Sequence, residues 1–517
     1  MRMRSHWRYA CLLLLLAAYL YGSSLFLTKY PYVHSDEAWL SGLTRQIVET
    51  GDFGATEAFF DLKERNPHAL KILFHALQAL AMRLGGYQIA TFRLLSLLAA
   101  APVLIVFYAA ARRLFAGHSL PLLAAALLAL DIQFIYASHM ARQEIFILFA
   151  VALNLFLLLR PGALRDRDIA ALAAAAGFSA GFHPNAFLVA CLGGAALLAR
   201  RICGSVRGRQ IALYIGLTAA CAGVFVGISL LLDADFIQHY LAYGQSEFGL
   251  NLSLADRAAE WTSFGSKLFD RVSGTYYLPD LRLQLILFPL LGLLLLCYAL
   301  AMRREQPAQT ERALVLIAAE LGICAGILLI GRYNQLSIVF LMPAGWLIVL
   351  DCLLLFGQRI CYALTALLLA LLLWVGATEI RPWLAADYDA YLAQLETYLP
   401  ADARTLGNLN SEYYFENGCL LDYRNLAFLE ENGLTLAEYV ESRGIEYIVY
   451  MDELDYIDAN RPYWNIIYGN LDIAGLRTYL AEACELVGTF FDPVYGTRIS
   501  QLVAGGEYGH VTVYRVR

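Results

Sequence analysis

Two adjacent carboxylic acids stand in the run His34, Ser35, Asp36 and Glu37, shortly after the first long apolar segment. A carboxylate in water close to a membrane surface can accept a proton from a substrate hydroxyl, so Asp36 is a candidate general base and Glu37 a second candidate catalytic residue. The run is also a good helix start, because Ser35 or Asp36 can cap a helix whose first turn favours acidic residues. The two interpretations are compatible, since a helix N-terminus holds a carboxylate rigidly.

Further polar groups interrupt apolar sequence later in the chain. They are Arg142 with Glu144, a turn that contains His183, and a second turn with Arg332 and Tyr333. A charge beside a membrane span is costly unless it is paired or functional. Arginine suits phosphate, because its planar guanidinium offers paired donors, whereas a histidine in a turn is more often structural. These groups gain significance only if the spans bring them to one face.

The composition indicates a membrane protein. Of the 517 residues, 59% are hydrophobic and 16% charged, whereas soluble domains carry about 25% charged residues. No basic stretch is interleaved with aromatic residues, so nothing suggests a nucleic-acid partner. The first apolar segment is longer than the core of a signal peptide and lacks a clean cleavage site, so we interpret it as a span. Eleven spans are predicted near 9–27, 88–111, 119–138, 143–159, 168–184, 186–200, 211–232, 283–302, 313–331, 334–356 and 360–379.

The distribution of arginine predicts the orientation of these spans, because basic residues concentrate in cytoplasmic connections. With the N-terminus in the cytoplasm, every inner connection carries arginine, whereas the short outer connections carry only Arg142 and Arg332. The loops 28–87 and 233–282 and the C-terminal tail then lie outside. All of the polar groups named above fall on this outer face.

Two domains are expected, a transmembrane module at 1–380 and a small α/β domain at 381–517. The tail has no spanning run. It alternates strand-like stretches (404–409, 447–451, 486–491, 511–516) with helix-like ones (388–398, 435–443, 473–484). Cys419 and Cys484 are its two cysteines, and an oxidising compartment would let them pair. Two buried free thiols are the alternative.

The order and spacing of these features resemble the superfamily of protein mannosyltransferases and lipid A aminoarabinose transferases, which have the GT-C glycosyltransferase fold. The resemblance covers roughly 9–346. It rests on Asp36 and Glu37 after the first span, Asn66-Pro67-His68 before an amphipathic run, Phe92-Arg93-Leu94 at the second span, Arg142 and Glu144, the turn His183-Pro184-Asn185, and Arg332-Tyr333. Many relatives have a lysine followed by two prolines where this chain has Arg65-Asn66-Pro67-His68. Lys63, Arg65 and Lys71 therefore all remain candidates for the cation nearest the donor.

The resemblance implies a polytopic α-helical membrane protein with about 11 transmembrane helices and a C-terminal periplasmic α/β domain, in the bacterial inner membrane. It implies an inverting hexosyl or pentosyl transferase that moves a sugar from a polyprenyl-phosphate donor to a glycan, lipid or protein acceptor on the periplasmic face. Asp36 would be the base, and Arg332 and Arg142 would hold the phosphate. Glu37 and Glu144 would orient these groups or bind sugar hydroxyls, with Lys63, Arg65, His183 and Tyr333 as further substrate-binding candidates. No cofactor is required, although a divalent metal at Asp36 and Glu37 is an alternative.

Three other functions stay open. A secondary transporter would need ionisable residues at mid-membrane and inverted repeats, but Glu320 and Asp131 are the acidic residues well inside spans, and no repeat is evident. A polymerase or ligase of lipid-linked glycans usually has its working loop later in the chain. A catalytically silent scaffold would tolerate the loss of Asp36.

Overall fold

The computed structural model describes residues 3–248, 253–272, 274–331, 334–499 and 506–517. Each of the eleven predicted spans corresponds to a helix or to two consecutive helices. The helices before the tail are α1 (Met3–Ser24), α2 (Ser35–Thr50), α3 (Ile72–Gly85), α4 (Ile89–Leu114), α5 (Leu120–Leu130), α6 (Ile132–His139), α7 (Glu144–Leu158), α8 (Asp166–Phe178), α9 (Phe187–Ile202), α10 (Gly208–Leu232), α11 (Phe236–Phe248), α12 (Leu254–Asp270), α13 (Arg282–Ala301), α14 (Pro307–Ile330), α15 (Met342–Leu354) and α16 (Gln358–Ile380).

Within the described ranges, seven helical segments are long and apolar enough to cross a membrane, or eight if α5 and α6 form one span bent by 60°. The remaining predicted spans correspond to α1, α7 and α8. Of these, α7 has 15 residues and α8 has 13, fewer than the roughly 20 that a straight membrane-crossing helix needs. The bend between α5 and α6 has a local cause, because Asp131 Oδ1 accepts the backbone N–H of Gln133 at 2.9 Å and caps α6.

The arginine-bearing connections contact neighbouring helices at one end of the bundle. There Arg200 donates to the carbonyl of Leu158 at 2.5 Å, and Arg312 donates to the carbonyl of Leu114 at 3.2 Å. The last turn of α4 lies at this end, and its first turn, which carries Arg93, lies at the other. We call the end with Arg93 the site end.

Small residues allow α9 and α14 to pack closely. Gly322 and Gly326 lie one turn apart on α14, and a Cβ atom added to Gly322 would lie 2.6 Å from the carbonyl oxygen of Cys191 on α9. Spacing of this kind lets membrane helices approach backbone to backbone.

The tail folds into a five-stranded sheet with flanking helices, which confirms the predicted α/β elements. The strands are β1 (Thr405–Gly407), β2 (Leu420–Asp422), β3 (Tyr447–Met451), β4 (Cys484–Phe491) and β5 (His510–Val516), and the helices are α17 (Tyr388–Glu396), α18 (Leu436–Arg443), α19 (Glu453–Asn460) and α20 (Ile473–Ala483). The strand order is β2-β1-β3-β5-β4. The contacts of β1 with β2 and β3 are parallel, and those of β5 with β3 and β4 are antiparallel.

Of the two alternatives for Cys419 and Cys484, the disulfide is wrong. Cys419 directly precedes β2 and Cys484 begins β4, and these strands form opposite edges of the sheet. Four strand spacings separate the edges by about 19 Å, whereas a disulfide needs Cα atoms within about 7 Å. Both residues are free thiols.

The tail shares one hydrophobic core with the loop at 28–87. The cluster joins aromatic residues of the loop and of α4 to those of the tail, among them Tyr32, Phe59, Phe60, Phe92, Tyr388, Tyr391, Tyr413 and Tyr495. Polar contacts cross the same junction, where Ser41 donates to the Tyr413 hydroxyl at 2.7 Å and Asn425 donates to the carbonyl of Phe59 at 2.9 Å. The tail therefore packs directly against α2 at the site end.

Candidate active site

The first turn of α2 is fixed by a capping box. His34, rather than Ser35 or Asp36, is the cap, because its Nδ1 accepts the backbone N–H of Asp36 at 3.0 Å. The backbone N–H of His34 in turn donates to Glu37 Oε2 at 2.9 Å. Successive helical residues point about 100° apart, so Asp36 and Glu37 face different surroundings.

Glu37 is buried and forms an ion pair with Arg93. Arg93 Nε donates to Oε1 at 2.8 Å and Nη2 to Oε2 at 2.7 Å, and both side chains are fully buried. The backbone N–H of Ala141 donates to Oε1 at 2.8 Å. With the His34 contact, the carboxylate accepts four hydrogen bonds, about the number that its two oxygens can accept. Both oxygens of Glu37 are therefore occupied, and its carboxylate joins the start of α2 to α4 and to the segment before α7.

Asp36 lies on the open side of the same turn, with 32% of its side chain exposed. Its Oδ2 atom accepts hydrogen bonds from Arg142 Nη1 and from the hydroxyl of Tyr276. Tyr276 follows α12 in the loop before α13, 240 residues along the chain from Asp36. Asp36 therefore combines access to solvent with two donors that hold its carboxylate in place.

Arg142 links Asp36 to a second carboxylate. Its Nη2 donates to Glu144 Oε1 at 3.0 Å and its Nε to Glu144 Oε2 at 3.3 Å, and Glu144 is the first residue of α7. The side chain of Arg142 is 6% exposed and that of Glu144 is 1% exposed. The Ala141 contact with Glu37 holds the adjacent backbone, so the Glu37 and Asp36 networks share one segment.

His34 packs against the phenol that contacts Asp36. The rings of His34 and Tyr276 stack with centroids 4.1 Å apart and planes 12° apart. Burial lowers the pKa of His34 to about 4; the negative charge of Asp36 opposes the shift, and the positive charges of Arg498 and Arg142 add to it. His34 is therefore neutral at pH 7.

Trp39 lies one helical turn after Asp36 and is surrounded by cations. The guanidinium of Arg424 from the tail lies 4.5 Å from the Trp39 ring centroid, that of Arg65 lies 5.2 Å away, and the Lys63 ammonium lies 5.7 Å away. Arg65 also donates two hydrogen bonds to Glu57, at 3.0 and 3.2 Å. Burial raises the pKa of Glu57, but the charge and hydrogen bonds of Arg65 outweigh this and hold it at about 2.

The structure brings some of the sequence-predicted site residues together. Asp36, Glu37, Arg142 and Glu144 form one connected network. Lys63 and Arg65 come from the loop between α2 and α3 and lie over the ring of Trp39 on α2. His183 caps a short 3₁₀ helix, where its Nδ1 accepts the N–H of Asn185 at 3.1 Å. Arg332 and Tyr333 lie outside the described residues.

No group of three or more histidine, cysteine, aspartate or glutamate side chains that could hold a metal occurs among the residues the structure describes. The alternative of a metal shared by Asp36 and Glu37 does not fit the geometry either. Both oxygens of Glu37 are already occupied by the donors of Arg93, His34 and Ala141.

Four residues around the start of α2 have no role predicted from the sequence: Arg93, Tyr276, Arg424 and Arg498. Arg93 appeared only as part of the start of the second span. An arginine within the apolar start of a span could have indicated an acidic partner, because such a charge is costly unless it is paired. The other three lie in the second loop and the tail, and no local pattern relates them to Asp36.

No family model matches the chain, and no curated protein matches it in sequence. Solved structures do. ArnT from Cupriavidus metallidurans bound to undecaprenyl phosphate has a TM-score of 0.59 at 13% identity, over 97% of this chain and 97% of that chain. The oligosaccharyltransferase of Archaeoglobus fulgidus in its apo form has a TM-score of 0.55 at 12% identity, over 98% of this chain and 74% of that chain. Both neighbours are GT-C glycosyltransferases, so the protein is a multi-pass membrane protein with the GT-C fold, as the sequence predicted.

Proposed function

We propose that this chain, whose fold is that of the GT-C transferases, is an inverting glycosyltransferase that uses a polyprenyl-phosphate sugar. The observation that carries the proposal is the geometry of Asp36, a partly exposed carboxylate at a helix N-terminus that Arg142 and Tyr276 hold in place. The solved ArnT binds undecaprenyl phosphate, which supports a donor of this class.

Asp36 is the proposed general base. In the proposed step, an acceptor hydroxyl attacks the anomeric carbon, Asp36 takes the hydroxyl proton, and the bond from carbon to the phosphate oxygen breaks. The polyprenyl phosphate leaves with the electron pair, and the configuration at carbon inverts. Glycosyl transfer develops positive charge on the sugar ring, so a carboxylate such as that of Asp36, paired with Arg142, also suits the transition state.

The departing phosphate needs cations. Arg142 provides one positive charge at the site, although it is already paired with Asp36 and Glu144. Arg332 remains the second candidate from the sequence. The preceding residue, Gly331, lies against the side chain of Arg257. A Cβ atom added to Gly331 would lie 3.0 Å from Arg257 Nε. The proposed reaction needs no divalent metal, so full activity is expected in EDTA.

The site end is proposed to face the periplasm, because the arginine-bearing connections lie at the opposite end. Cysteine substitutions at His183 and at Arg303 separate the two faces. We expect an impermeant thiol reagent applied from the periplasm to label the first and not the second, in a background in which reactive native cysteines are replaced. Labelling of His183→Cys from the cytoplasm would contradict this orientation.

The test of the function is transfer from a synthetic polyprenyl-phosphate sugar by the purified protein in detergent, with release of polyprenyl phosphate as the readout. Candidate acceptors come from the envelope glycans, lipids and proteins of the source cell, compared between the wild type and a deletion strain. A transporter would release no polyprenyl phosphate with any acceptor, and that outcome would refute the proposal.

A further inference from the structure

Arg498 is an arginine of the tail that reaches the start of α2. It is buried, with 7% of its surface exposed. Its Nη2 donates to the Ser35 hydroxyl at 3.0 Å and its Nη1 to the carbonyl of Ile467 at 3.3 Å. The guanidinium also lies 5.1 Å from the ring centroid of Tyr468. Arg498 therefore spans the junction between the two parts of the molecule.

The charge of Arg498 has no direct counter-ion in the part of the chain that the structure describes. No carboxylate there forms an ion pair with its guanidinium, although the buried Asp422 and Glu453 feel its charge at longer range. Its Nε has no hydrogen-bond partner. Buried charges are normally paired, because transfer out of water is costly. The backbone around Arg498 is nevertheless held firmly, since its N–H donates to the buried Glu453 at 2.8 Å. The side chain of Arg498 thus extends from a fixed backbone and has no direct ion-pair partner.

His34 provides a second buried donor that has no acceptor. It is 5% exposed, and its Nε2 has no hydrogen-bond partner. Because Nδ1 accepts the N–H of Asp36, the single proton of the neutral ring belongs on Nε2. A buried donor left without an acceptor is costly. His34 is adjacent to Ser35, the residue that Arg498 binds.

The start of α2 adds a favourable field for an anion. Helix N-termini carry a partial positive charge and bind phosphates and carboxylates readily. Here the helix end coincides with two buried donors that lack acceptors, one of them charged. Asp36, in the same turn, points to Arg142 and Tyr276 instead.

We propose that Arg498 and His34 form a subsite for an anionic oxygen group, a phosphate or a carboxylate, carried by one of the two substrates. The inference rests on the proposed function, because it places a substrate beside Asp36. The tail then supplies a substrate-binding residue to a site otherwise built from the membrane module and its loops. The anion belongs either to the departing polyprenyl phosphate or to the acceptor, and binding measurements distinguish these two sources.

The variants are Arg498→Gln, which removes the charge, and His34→Asn, which keeps a good helix cap but removes the Nε2 donor. Ser35→Ala is the matched control for packing, because it breaks the Arg498 contact across the junction and leaves both donors in place. Arg461→Gln is the control for charge, because Arg461 is exposed in the same domain. Melting temperatures of the full-length proteins in detergent identify any variant that is misfolded, and His34→Asn tests the subsite if Arg498→Gln does not fold.

Binding is measured with two probes, polyprenyl phosphate alone, and inorganic phosphate added to protein saturated with polyprenyl phosphate. If the anion is the donor's, Arg498→Gln weakens polyprenyl phosphate binding by about tenfold or more, the loss expected for a charge-assisted hydrogen bond. If the anion is the acceptor's, that affinity is unchanged, and binding of inorganic phosphate falls by a similar factor. In either case His34→Asn shows a smaller loss, and the two controls bind as the wild type does.

Unchanged binding of both probes by Arg498→Gln and His34→Asn would overturn the subsite. An equal loss in Ser35→Ala would overturn it too, since the effect would then be one of packing. Neither result depends on turnover. A failure of the subsite is therefore distinguishable from a failure of the proposed function, which the transfer assay with the wild type and Asp36→Asn tests separately.

Discussion

Asp36 and Glu37 follow one another in the first turn of α2, yet their side chains end in opposite surroundings. Glu37 is fully buried and paired through both oxygens with Arg93, whereas Asp36 is one third exposed and binds Arg142 and Tyr276 through one oxygen. The difference separates two tasks that an adjacent acidic pair in a sequence cannot distinguish. The buried acid joins α2 to α4, and the exposed acid has the solvent access that the proposed base requires.

The largest effect is expected from Asp36→Asn. It removes the proposed base while keeping the shape of the side chain, so turnover should fall by about 10²–10⁴-fold, the usual contribution of general-base catalysis. The melting temperature should change little. Asp52→Asn is the control, because Asp52 is an exposed acid in the same loop. Near-normal turnover in Asp36→Asn, measured as released polyprenyl phosphate, would remove Asp36 from the mechanism.

Glu37→Gln should reduce stability more than turnover. It leaves Arg93 buried without a counter-charge, which typically destabilises a protein by about 3–5 kcal/mol. We expect a clear fall in melting temperature, with turnover per folded molecule reduced far less than in Asp36→Asn. The double variant Glu37→Leu with Arg93→Met should recover part of the lost stability. A stable Glu37→Gln protein with abolished turnover would show instead that Glu37 takes part in the reaction.

Tyr276→Phe should produce a moderate effect on rate. It removes the hydroxyl that donates to Asp36 but keeps the ring that stacks on His34. One hydrogen bond contributes about 1 kcal/mol, so turnover should fall by about fivefold. Tyr277→Phe is the neighbouring control, because the Tyr277 hydroxyl donates to Glu379. Equal rates for Tyr276→Phe and the wild type would show that Arg142 alone is sufficient to hold Asp36.

Glu412 provides a third carboxylate beside α2 and the smallest expected effect. Burial raises its pKa to about 8, against the opposing effects of the Arg45 charge and the Tyr87 hydroxyl. Because the folded-state pKa lies above the unfolded one, this contribution to stability is fully present below the unfolded pKa and is lost as the pH rises through about 8.

Glu412→Gln removes this titration. The wild type should therefore lose about 1 kcal/mol more stability than the variant between pH 7 and pH 9. The measurement is the melting temperature of each protein across that range, with the exposed Glu416→Gln as control. Parallel pH curves for the wild type and Glu412→Gln would contradict the raised pKa.

Features that depend on local sequence were predictable, whereas features that depend on contacts between distant residues were not. Hydrophobic blocks and alternating stretches are local, and they predicted the spans and four of the five strands. β2 and α19 were not predicted, although they are no shorter than β1 and α18, which were. The strand order that separates Cys419 from Cys484 depends on the whole tail, so local sequence could not exclude the disulfide. The partners of the acidic pair were hidden for the same reason, since Arg93 is 56 residues from Glu37 and Arg498 is 463 residues from Ser35.

The aromatic core shared by the loop and the tail affects how the protein is made. Ribosomes add about 5–20 residues per second, so α2 leaves the ribosome tens of seconds before Tyr388 and Tyr495. These two tyrosines belong to the same hydrophobic core as the loop around α2. During that interval the loop must wait beside the membrane with Phe59 and Phe60 uncovered. The site thus matures only after the last helix has been inserted, and a ribosome stalled in the tail would leave an inserted but unfinished protein for quality-control proteases.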